Sequence, residues 1–148
     1  MKIYAESHSQ NYPSSFNALA GIAAVSSNDT CCFVHSKRKH QQESLTNIED
    51  WTDYAYVSGL KDTDPDGCVV VFCLPEHHGD NGANVGFMSG KTQWFFCKAH
   101  KELPGEQHVP TFQELTNTPS LFFGTTDEVQ LADLKKRTRI IWPHQGKR

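Results

Sequence analysis

The chain has 148 residues, of which 37% are hydrophobic and 21% charged, and a formal net charge of −3. That length suits one domain with a core that needs no disulfide staples, and the nine Phe, four Tyr and three Trp exclude a disordered composition. The slightly acidic balance gives no general attraction to nucleic acid or to an anionic membrane, so neither is expected as a partner.

No apolar run approaches the roughly 18 residues of a spanning helix. The opening "MKIYAESHSQ" lacks the sustained apolar segment of a secretory signal. Five cysteines are an odd number, so reduced thiols and a cytoplasmic location are expected. Delivery to another cell or host is compatible with the same features. The basic runs Lys37 to His40 and Lys135 to Arg137 read as solvated faces.

Taken in chain order, a short first strand is expected from Lys2 to Ala5. Pro13 and the Ser pair then precede an apolar stretch that predicts a short helix ending near Ser26 and Ser27. Asp29 or Thr30 is suited to cap a second helix running from Cys31 to about Gln42, because either side-chain oxygen accepts from first-turn amides. Leu45, Ile48, Trp51, Tyr54 and Ala55 recur at spacings of three and four, which predicts an amphipathic helix over 44–60. "KDTDPDG" reads as a loop.

The pattern then changes. "CVVVF" (68–72) predicts a buried strand, and the polar, Gly-rich "LPEHHGDNGA" connects it to a second strand, "NVGFM" (84–88). A turn at Ser89 to Lys91 and "QWFFCKA" (93–99) complete a hairpin. The Pro- and Thr-rich segment 101–128 reads as an irregular insertion. "VQLADLKKR" predicts one or two helical turns, "TRIIWP" a last strand, and "HQGKR" a loose tail. Helices followed by antiparallel strands define an α+β class in a single domain spanning 1–148.

Three groups of residues carry chemistry. Cys31 and Cys32 stand at a helix start, where the positive end of the helix dipole favours a thiolate. His77, His78 and His100 supply imidazoles for a general base, with His78 and His100 as the candidates. Alternatively Cys32, His35, Cys97 and His100 form two Cys-x-x-His pairs with zinc-ligand spacing, and "CLPEHH" (Cys73, His77, His78) offers further ligands. No cofactor is expected outside that zinc alternative. The loop "EHHGDNGAN" suits contacts with a ligand or partner. No dinucleotide fingerprint, phosphate loop or Gly-x-Ser-x-Gly elbow occurs.

These strings also resemble a family, the papain-like amidohydrolases of the NlpC and CHAP types. "DTCCFV" resembles that family's Asp-Cys-Ser-Gly-Phe-Val, "DGCVVVF" its Gly-Asp-Val-Val-Phe, and "NVGFMSG" its His-Val-Gly-Phe-x-x-Gly. "FFCKAH" resembles the strand carrying its third polar group. The resemblance covers Asp29 to Gly90, extends more weakly to His100, and takes "TRIIWP" as a closing strand. It implies N-terminal helices packed on a small antiparallel sheet, with the nucleophilic Cys opening a helix and the His base opening a strand.

Departures fall on the chemistry. Thr30 stands where the family has its Cys, Asn84 where it has its His, and Cys68 where it has the Asp of the Gly-Asp pair, while His100 falls near the third polar position. The resemblance therefore implies a catalytically degenerate domain that binds a protein or small ligand, effector- or inhibitor-like, through Thr30, Asn84, His77, Asp80 and Asn81. The alternative is an active thiol amidase or peptidase in which Cys31 or Cys32 is the nucleophile and His78 or His100 the base. A helix turns about 100° per residue, so inward-facing Phe33 and Val34 would set Thr30, not Cys31, toward the cleft.

Overall fold

A computed structural model describes residues 2–21, 48–99 and 107–143. In chain order the elements are α1 (Lys2–Ser7), a 3-10 helix (Phe16–Gly21), α2 (Ile48–Trp51), β1 (Tyr54–Ser58), β2 (Val69–Cys73), a second 3-10 helix (Pro75–His78), β3 (Gly82–Phe87), β4 (Thr92–Phe96), α3 (Phe112–Asn117), α4 (Pro119–Phe122), α5 (Glu128–Arg137) and β5 (Arg139–Ile141). The fold is α+β, with helices and antiparallel strands. The chain divides into two compact units. Unit one takes the segments up to Asp64 and from Arg137 onward, and unit two runs from Pro65 to Lys136. The expected helix over 31–42, with Phe33 and Val34, lies outside the described residues, as does the tail after Pro143.

In unit one, Lys2–Ser7 is helical rather than a strand. Four residues hold too few periods to separate the two states. The helix closes as His8 and Gln10 donate backbone N–H groups to the Ala5 carbonyl at 3.1 and 2.9 Å, with Ser9 and Gln10 in the left-handed region. The helix expected over 44–60 is also corrected, since only Ile48–Trp51 is helical among its described residues, and Tyr54–Ser58 is a strand. Ala55, Tyr56, Val57 and Ser58 are all buried. A helix here would bury one stripe, whereas a strand covered on both faces uses such a β-branched and aromatic run throughout.

Contacts between distant segments hold this unit. The Tyr56 hydroxyl donates to the Pro13 carbonyl at 2.6 Å, and its ring lies 5.0 Å from that of Phe16. The Phe16 amide donates to Glu49 Oε1 at 2.9 Å while the Glu49 amide donates to Asn17 Oδ1 at 3.2 Å. β1 and β5 pair antiparallel, with Tyr56 opposite Ile141 and Ser58 opposite Arg139. Gly59, at φ 83°, makes the approach behind them possible, because a Cβ there would stand 2.2 Å from the Arg137 carbonyl oxygen. The Arg137 guanidinium donates to the Gly59 carbonyl and to the Asp64 carboxylate. Asp64 also accepts from the Lys61 amide at 2.7 Å.

Among its described residues unit two is a β2–β3–β4 meander with the 3-10 helix Pro75–His78 and the helices α3, α4 and most of α5. Phe72 pairs with Val85, and Ala83 with Phe95. These four are buried and set the core face. The rings of Phe112 and Phe122 stand edge-on to Phe72, at 5.6 and 6.5 Å. The irregular insertion expected at 101–128 is corrected over its described part, 107–128, which builds α3 and α4. A reciprocal capping box starts α3. The Glu114 amide donates to Thr111 Oγ1 at 3.2 Å, and the Thr111 amide donates to Glu114 Oε2 at 2.7 Å. "TFQE" carries that signal in the sequence. α5 runs for 10 residues, longer than the one or two turns expected, and buries Leu134.

Candidate functional site

Successive strand side chains alternate between faces. With Phe72 on the core face of unit two, Cys73 at the end of β2 points to the opposite face. Asn84 and its partner Trp94 share that outer face, as do Gly82 and Phe96. Beyond β2, Pro75 occupies the first position of the 3-10 helix Pro75–His78, and Gly79 and Asp80 both take left-handed φ values, 64° and 59°. The 3-10 turn brings His78 back to the end of β2, and the two left-handed residues after it lead the chain on toward β3.

The outcome is a sulfur–imidazole contact. His78 Nε2 lies 3.0 Å from Cys73 Sγ, and the backbone amide of Asn84 donates to the same sulfur at 3.0 Å. Cys73 is 1% exposed. The Trp94 ring meets His78 edge-on at 4.8 Å and Phe96 edge-on at 6.1 Å. Gly82 is required beneath the indole, because a Cβ at that position would stand 2.7 Å from two of its ring carbons. Two further bonds brace the turn. Asn81 Nδ2 donates to the His78 carbonyl at 3.1 Å, and the Cys97 amide donates to the Asn81 carbonyl at 3.0 Å.

The residues singled out in the sequence separate into two sets. His77, His78, Asp80, Asn81 and Asn84 fall on one turn and the adjoining strand of unit two. Thr30, Cys31, Cys32, His35 and His100 lie outside the described residues. Asn84 stands within β3, whose first residue is Gly82. Its side chain lies on the exposed face while its amide engages Cys73. His77 is more enclosed than Glu76, toward which its Nε2 points at 3.8 Å. Asp80 and Asn81 are exposed.

Of the two Cys-x-x-His pairs only Cys97 is described. It follows β4, and burial, then the negative charge of Asp80, pushes its thiol above the ordinary range. Among the described residues no group of three or more His, Cys, Asp or Glu side chains is placed to hold a metal ion. The three described cysteines, Cys68, Cys73 and Cys97, are in no disulfide.

Cys73 is the functional candidate that sequence reasoning placed only among spare metal ligands. Its signal was the spacing Cys-x-x-x-x-His across a Leu-Pro step. A proline-initiated turn reverses the chain within that spacing. Chemically, the pair brings a nucleophilic atom and a base within the hydrogen-bond reach that thiol activation needs. No family model matches this chain, and neither a curated protein nor a solved structure is significantly similar to it.

Proposed function

We propose that this chain is a catalytically degenerate domain of the papain-like NlpC/CHAP type, acting by binding a protein or small ligand in the manner of an effector or inhibitor. One observation carries the reading. The imidazole of His78, the described candidate for a hydrolase base, has its Nε2 held 3.0 Å from the sulfur of Cys73, a residue only 1% exposed. A base engaged with an enclosed thiol is not presented to an amide-sized substrate. The strand position at which the family carries its histidine holds Asn84, an amide that hydrogen-bonds a ligand but takes no proton from a nucleophile near neutral pH. The turn beside it presents Asp80 and Asn81 to solvent, which suits recognition. The partner expected is neither nucleic acid nor membrane, and the location expected is cytoplasmic. Among the described residues no helix is long and apolar enough to cross a membrane.

The test pairs binding with turnover on one panel of amide-containing ligands, short peptides and isopeptides included. Binding without hydrolysis, weakened about tenfold by a combined Asp80→Ala and Asn84→Ala change, is the expected result. Hydrolysis that disappears in Cys31→Ser or Cys32→Ser would replace this reading with a thiol amidase or peptidase.

A further inference from the structure

Of the chain's seven asparagines only Asn81 precedes a glycine, and the fold makes that glycine obligatory. A Cβ at Gly82 would stand 2.3 Å from the Phe95 carbonyl oxygen and 2.7 Å from the Trp94 indole. Asn81 itself is exposed. The Cys97 amide donates to the Asn81 carbonyl at 3.0 Å, which makes Gly82 and Phe96 a non-hydrogen-bonded pair of the antiparallel ladder. The Gly82 N–H therefore points away from β4, toward the β2 side. There the pairing of β2 with β3 runs from Val69 opposite Phe87 to Phe72 opposite Val85, and Gly82 lies beyond it.

We infer that Asn81 is a site of spontaneous deamidation, and that the product releases the turn carrying His78. The inference rests on the place of Gly82 in unit two and not on the papain-like reading. With no side chain beside it and outside the β3–β4 ladder, the Gly82 nitrogen can reach the neighbouring side-chain amide. It attacks Asn81 Cγ, and the new N–C bond forms as the Cγ–Nδ2 bond breaks. Nδ2 takes the Gly82 amide proton and leaves as ammonia. Water then opens the five-membered succinimide. Opening at Cγ gives aspartate, and opening at the main-chain carbonyl gives isoaspartate, whose chain runs through the former side chain. Both products lose the Nδ2 donor that bonds the His78 carbonyl at 3.1 Å, and both add a carboxylate next to Asp80. The bonds at Asn81 hold the folded rate below that of the unfolded chain. It still exceeds the rate at exposed Asn84, whose successor Val85 shields its own nitrogen with a branched side chain.

The experiment ages the whole chain in mildly alkaline buffer, folded and in parallel in denaturant. Digestion at acidic pH and mass spectrometry then locate each amide converted to an acid, and an isoaspartate methyltransferase labels the isoaspartyl product. In the folded chain, conversion at Asn81 should outpace that at Asn84 by about tenfold or more. Asn81→Gln should abolish it at that position. Asn81→Asp makes the unbranched product directly. It should speed hydrogen exchange by about fivefold at the amides of Gly79 and Asp80, which bond the Glu76 and Pro75 carbonyls at 3.3 and 3.0 Å. A folded chain that converts Asn81 no faster than Asn84, while the denatured chain converts Asn81, overturns the site. Unchanged exchange in Asn81→Asp overturns the release of the turn. If that variant fails to fold, exchange in the aged, unaltered chain decides.

Discussion

Unit one and unit two are held by different means. Unit one depends on single polar contacts between residues far apart in sequence, such as Tyr56 with Pro13, Phe16 with Glu49, and Arg137 with both Gly59 and Asp64. Unit two is a strand meander whose neighbours are close in sequence, filled by aromatic rings around Phe72 and capped locally at α3. Both units bury apolar side chains, but unit one is in addition fastened at points. A point fastening is cheap to remove by one substitution and expensive to detect in a sequence.

The sharpest way to break that contrast is in unit two. Phe72→Ala removes a 1%-exposed ring that contacts Phe112 and Phe122. It should cost about 3–5 kcal/mol in denaturant unfolding. Amide exchange should speed up first in β2, β3 and β4. Equal acceleration in β1 and β5 would mean that the two units do not differ in this way.

Arg137→Ala tests the fastened unit. Asp64 has only 6% of its side chain exposed, and losing the guanidinium leaves that carboxylate without its cation. A loss of roughly 2 kcal/mol is expected, below the value for a fully buried pair because Arg137 retains 18% exposure. Exchange should rise around Gly59 and β5. A loss under about 0.5 kcal/mol would class this contact with ordinary surface pairs.

The smallest effect concerns acid. Glu114 is held below the usual carboxylate range, chiefly by the Thr111 amide, then by the Thr111 hydroxyl, with His108 adding to the shift. A carboxyl lowered by folding contributes stability that is complete above its unfolded-state range and disappears as pH falls through the lowered value. Glu114→Gln should therefore flatten the acid side of the stability curve while changing little near neutrality. An unchanged acid slope would remove the capping box from the account.

This division also explains what could be read from the residues. β2, β3 and β4 follow from "CVVVF", "NVGFM" and "QWFFCKA" to within three residues, because hairpin-linked strands announce themselves by composition and turns. β1 did not, since Tyr54 and Ala55 also fit a helical stripe with Ile48 and Trp51, and only the pairing of β1 with β5, some 80 positions along, identifies them as strand residues. The α3 cap was legible in Thr111 and Glu114 but was overridden by the Pro and Thr content around it. For the site, His78 was one of two candidate bases, whereas its sulfur among the described residues is Cys73. Finding that sulfur required the proline-initiated turn Pro75–His78, and no periodicity encodes such a turn.

The missing side chain at Gly82 has an optical consequence. By letting the Trp94 indole settle against the strand, it fixes a fluorophore edge-on to the His78 imidazole. A ring held at that range is part of the immediate surroundings of the indole. The molecule thus carries a native emission reporter beside the Cys73–His78 contact, and tryptophan fluorescence can follow that contact in unlabelled protein.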